Sequence, residues 1–74
     1  MDPKEACLQV LGEAPDETLH WTVVLDRALT QRLIDPFTTP DVRGVVVKGL
    51  AALAREGRVV KQGTGLYRAR TDAG

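Results

Sequence analysis

Apolar residues recur along the chain at helical spacing in three segments and at alternate positions in a fourth. Ala6, Cys7, Val10 and Leu11 form the first helical stripe. Ahead of it Asp2 can cap free N–H groups, Pro3 suits the first helical position, and Glu5 stands where a capping-box partner would. Gly12 is a natural stop, so the pattern predicts a helix over 3–12 and a polar, Pro-broken loop over 13–18. Trp21, Val24, Leu25, Ala28 and Leu29 make the second stripe, predicting a helix over 21–32 with Asp26, Arg27 and Thr30 facing out. Val23 and Val24 are weak helix formers, so packing must hold this segment. Thr38-Thr39-Pro40-Asp41 reads as a third helix start, with a Thr cap, Pro at the first position and an acid in the first turn. That helix is predicted over 40–56, closed by Gly57.

On the third helix Val42, Val45, Val46, Gly49, Leu50 and Leu53 share one arc, while Gly44, Val47, Lys48, Ala51 and Arg55 hold the opposite one, with Arg43 at its edge. After Gly57 the period becomes two. Residues 58–62 and 66–70 read as strands joined by the three-residue loop Gly63-Thr64-Gly65, with Gln62 facing Leu66. This register turns Val59, Tyr67 and Ala69 toward the helices and Val60, Arg68 and Arg70 away. A lone hairpin is marginal, and Leu19-His20 is the candidate for a short third strand. The predicted class is α+β: one domain over residues 1–70 with a C-terminal β-hairpin, followed by a disordered tail over 71–74.

At 74 residues there is room for a single core, and 43% apolar content can build it. One cysteine and one histidine leave no internal disulfide and too few soft ligands for structural zinc, so neither metal nor cofactor is expected. No phosphate loop, nucleophile elbow or clustered acid–base set is present, which argues against an enzyme and against a small-molecule substrate. Neither a membrane-length apolar run nor a signal-like N-terminus occurs, so the expected location is the cytoplasm, with no membrane partner. The formal charge is zero but unevenly spread: residues 1–40 carry −4 and residues 41–70 carry +5. Such polarity lets a neutral protein present one cationic face to phosphate. Chance clustering on a solvated surface would give the same composition.

The predicted order of helix, short strand, helix, turn, helix and hairpin resembles the winged helix-turn-helix. Leu50-Ala51-Ala52-Leu53-Ala54-Arg55-Glu56-Gly57-Arg58-Val59 looks like the ending of many recognition helices of that class. Leu19-His20-Trp21 and Gly65-Leu66-Tyr67 are similar in particular to the HARE-type helix-turn-helix, a family found in bacterial RNA polymerase delta subunits, restriction systems and chromatin-associated proteins. The resemblance spans roughly residues 4–70. It implies a bacterial-type DNA-binding module in transcription regulation, although winged helices also serve as protein-interaction modules. The Z-DNA-binding branch is less similar, because its recognition helix carries an asparagine and a tyrosine that this third helix lacks.

Double-stranded DNA is therefore the expected partner. On the third helix Gly44 and Ala51 let a backbone approach, Val47 suits a thymine methyl, and Arg43, Lys48 and Arg55 suit phosphates or base edges. On the hairpin Lys61, Gln62, Thr64, Arg68 and Arg70 are placed for phosphate or a minor groove. The plainer reading is a solvated helix face, with Lys61 guarding a strand edge. The alternative function is docking to a protein through Val47, Ala51 and Val60. His20 and Cys7 are expected to be structural, and Trp21 a core plug.

Overall fold

In a computed structural model, which describes residues 1–70, the chain folds as α1 (Pro3–Gly12), β1 (Leu19–His20), α2 (Trp21–Thr30), α3 (Val42–Arg55), β2 (Val59–Gly63) and β3 (Leu66–Ala69). The predicted tail over 71–74 lies outside the described residues. The helices pack pairwise, and an antiparallel sheet of order β1-β3-β2 closes one side. The fold is thus α+β, with the last strand in sequence at the centre of the sheet.

Each helix begins where a side chain satisfies its free N–H groups. Asp2 accepts the Lys4 backbone N–H at 2.8 Å, with Pro3 at the first helical position, as the sequence suggested. His20 caps α2, its Nδ1 accepting from the Thr22 N–H at 3.2 Å and lying 2.8 Å from the Thr22 hydroxyl. For α3 the expected Thr cap is wrong. The cap is Asp41, in the left-handed region at φ 50°, and its carboxylate accepts the Gly44 N–H at 3.3 Å. Thr38, Thr39 and Pro40 sit instead in a turn built by Asp35, whose carbonyl accepts the Thr39 N–H at 3.0 Å. That turn binds the N–H groups of both Thr38 and Thr39 to the Asp35 carbonyl, which makes the two threonines part of a turn that precedes the helix.

The α2 helix is shorter than predicted, ending at Thr30 with Arg32 left-handed at φ 58°. Gly57 follows α3 at φ 74°, where glycine bears no Cβ penalty.

The core joins Ala6, Cys7, Val10 and Leu11 of α1 to Val24, Leu25 and Ala28 of α2 and to Val46, Leu50 and Leu53 of α3. Val42, Val45 and Gly49, placed on the same arc of α3, are only half-buried. Leu19, Val59, Tyr67 and Ala69 cover the core from the sheet, as the alternation required. Trp21 is half-buried at the rim and is no core plug. The hairpin departs from its predicted loop: Lys61 pairs with Tyr67 and Gly63 with Leu66, so an irregularity falls at Gln62 and a two-residue turn remains. Gly65, at φ 73°, places its carbonyl on the Trp21 N–H at 2.8 Å. A Cβ there would come within 3.0 Å of both the His20 and Trp21 rings, so the turn is clasped against the start of α2.

Candidate nucleic-acid interface

The side chains that face away from the core on α3 follow from its pitch. Lys48 and Arg55, seven residues apart, lie within about 20° of one another and about 10 Å apart along the axis. Both are exposed, and Ala51 between them is half-buried. Val47 borders this line with 38% of its surface exposed. Arg43 is exposed as well, yet it stands about 140° around the helix from Lys48 and lines a groove with Trp21, Leu25 and Leu29 of α2. The six expected α3 residues therefore divide into a cationic line and a separate arginine beside α2.

Gly44 is half-buried, and its lack of a side chain has a local reason. A Cβ there would overlap the Asp41 carboxylate that caps the helix. Glycine at this position serves the cap whether or not anything approaches from outside.

On the hairpin Lys61, Gln62 and Thr64 are exposed. Arg68 is half-buried across from Val60, and its Nε is buried with no hydrogen-bond partner among the described residues. Arg70 is committed to the fold: its Nη1 donates to the Gly57 carbonyl at 2.9 Å, placing a cation at the C-terminal end of α3. The docking patch of the alternative reading is thin, because Ala51 and Val60 are half-buried and only Val47 is exposed.

The ion pairs sort the remaining cations. Lys4 bonds Glu56, Arg27 lies 3.8 Å from Glu17, and Arg58 lies 3.4 Å from Glu5 and 3.8 Å from Glu56. Hydrogen bonding from Lys4, helped by the nearby charges of Lys4, Arg58 and Arg55 and opposed by burial, holds the Glu56 carboxyl below its ordinary range. In contrast, Arg32, which follows α2, and Arg43, Lys48, Arg55, Lys61 and Arg68 make no ion pair among the described residues. Cys7 is fully buried, and desolvation, with the Asp2 charge second, pushes its thiol up to about 11.

The sequence reading missed Phe37, the most exposed large apolar residue at 96%. Its only signal was a lone aromatic after Asp35-Pro36 in a polar stretch. Among the described residues no three His, Cys, Asp or Glu side chains group as metal ligands, and no helix is long and apolar enough to cross a membrane. No protein-family model matches the chain, and neither the curated proteins nor the solved structures include a match to it.

Proposed function

We propose that the domain is a winged helix that binds double-stranded DNA, with α3 in the major groove and the hairpin on the adjacent backbone. The observation that carries this reading is the segregation of uncompensated charge. Lys4 on α1, Arg27 in the last turn of α2 and Arg58 before β2 are met by carboxylates, whereas Lys48 and Arg55 on the outer face of α3 and Lys61 and Arg68 on the hairpin make no ion pair among the described residues. Unneutralised like charges repel one another, which the negative phosphates of DNA would relieve, while the counterions released from the DNA add an entropic gain. The element order and the β1-β3-β2 sheet agree with a winged helix. The HARE-type likeness rests on sequence residues alone.

Because the hairpin turn is only two residues long and clasped to α2, its reach beyond the sheet is short. Most of the affinity must then come from Lys48, Arg55, Lys61 and Arg68. Three to five phosphate contacts imply a log–log salt slope of roughly −3 to −4.5 and non-specific dissociation constants on the order of 10⁻⁴–10⁻⁶ M. Fluorescence anisotropy with a random duplex at two salt concentrations tests this. The double change Lys48→Gln and Arg55→Gln should weaken binding and reduce the salt slope by about 2 with little change in the melt, while Arg27→Gln, on another face, should leave binding intact. Salt-independent binding, or none at low salt, refutes the proposal.

A further inference from the structure

Phe37 is both exposed and held. The Asp35 carboxylate accepts its N–H at 2.9 Å, the Asp35 carbonyl ties down Thr39, and Pro36 restricts the preceding backbone. The backbone that carries the ring is thus already ordered, so binding would cost only the side chain's own rotamer freedom, which favours Phe37 as an interface anchor. It does not stand alone. Along the outer edge of α2 run two clefts, one of about 520 Å³ beside Phe37 and one of about 350 Å³ beside Trp21 and Leu25, and Leu29 lines both. The order along this face is thus knob, Leu29, groove.

We propose that two copies of this chain associate about a two-fold axis near Leu29, each seating Phe37 in the groove between α2 and Arg43 of the other. A two-fold contact requires one patch to be its own complement, and a rotation about Leu29 exchanges knob and groove. The rim charges obey the same exchange. Arg32 and Asp35 flank the cleft at the knob end, while Asp26 and Arg43 flank the groove. Rotation sets Arg32 against the second copy's Asp26, and Asp35 against its Arg43. Asp26 and Arg32 are exposed and have no ion pair within the described chain, so both are available across the axis.

The buried area sets the strength. A phenylalanine brings roughly 150–250 Å²; two of them, the groove walls they cover and the rims bring the total to about 1,000 Å², the lower end for a specific interface. The dimer is therefore weak and reversible, with a dissociation constant on the order of 10⁻⁴ M. The association needs no DNA, and its test avoids the proposed phosphate contacts, so either reading can fail without the other.

Sedimentation equilibrium of the chain from micromolar to millimolar concentration should show a monomer–dimer equilibrium. Phe37→Ser, at an exposed site, should leave the melt unchanged and weaken association at least about 30-fold. Asp26→Arg should weaken it about tenfold or more by facing Arg32, and adding Arg32→Asp should restore it. Isotope-filtered NOEs should join the Phe37 ring of one copy to Trp21 or Leu25 of the other. A monomer at millimolar concentration, a dimer indifferent to Phe37→Ser, or a charge swap that fails to rescue would each overturn the proposal.

Discussion

Helices α2 and α3 end in the same backbone motif with different residues at its left-handed position. In α2 the Arg32 N–H bonds the Leu29 carbonyl at 3.0 Å and the Leu33 N–H bonds the Ala28 carbonyl at 2.9 Å. In α3 the Gly57 N–H bonds Ala54 at 3.1 Å and the Arg58 N–H bonds Leu53 at 2.9 Å. Both are Schellman closures, with φ of 58° at Arg32 and 74° at Gly57. A side chain in this conformation costs roughly 1–2 kcal/mol, whereas introducing glycine loosens the unfolded chain by about 0.4–1 kcal/mol. Arg32 is exposed and makes no ion pair among the described residues, so little else is lost on removing it. Arg32→Gly should therefore stabilise the monomer by about 0.5–1 kcal/mol, raising Tm by roughly 2–8 °C for a domain of this size. The reciprocal Gly57→Ala should destabilise, because it adds the left-handed cost and sets a Cβ 3.1 Å from the Arg70 guanidinium. Thermal melts followed by circular dichroism at low micromolar concentration, where association is negligible, measure both. A lower Tm for Arg32→Gly, or a neutral Gly57→Ala, would show that these residues are not where the helices close.

Leu53→Ala should cost about 2–5 kcal/mol in a denaturant titration, since Leu53 is fully buried where α3 meets the core. Gly44→Ala should fail to give the 0.5–1 kcal/mol or so usual for a helix glycine, because the new Cβ displaces the Asp41 carboxylate; in an Asp41→Gly background the gain should reappear. The Cys7 thiol, raised from its ordinary 9.0 to about 11, should resist alkylation in the folded state. Because its folded pKa is the higher one, its contribution is full below pH 9 and is lost as pH rises toward 11, a fall of at most about 2.7 kcal/mol. Cys7→Ala should flatten that alkaline loss, and a parallel decline in both proteins would assign it elsewhere.

What could be read in the sequence was whatever repeats. Three amphipathic stripes and one alternating segment located the helices and the hairpin, the need of a lone hairpin for a third strand pointed to Leu19-His20, and the alternation of Val59, Tyr67 and Ala69 set the inner face of the hairpin. The errors fall where one residue decides between competing hydrogen bonds. Thr38-Thr39-Pro40-Asp41 has the composition of a helix start, but Asp35 upstream captures the Thr39 N–H and moves the cap to Asp41. Arg32 ends α2 in a conformation that its residue type does not advertise. Within the candidate interface the wheel correctly paired Lys48 with Arg55. Arg43's place beside α2 and Arg70's bond to Gly57 depend on how separate elements pack, which one helix's periodicity cannot encode.

The centre of the sheet is also its last strand, and this orders events during synthesis. The three helices can form from local sequence as the polypeptide leaves the ribosome, but Leu19 and Val59 have no strand between them until Leu66–Ala69 have been made. Residues 19 and 67 then pair across most of the chain's length, a contact whose loop-closure entropy falls due only at the end. A nascent chain stalled before Leu66 would expose an uncovered apolar flank and two open strand edges, which makes it a target for chaperones and for pairing with its neighbours on a polysome.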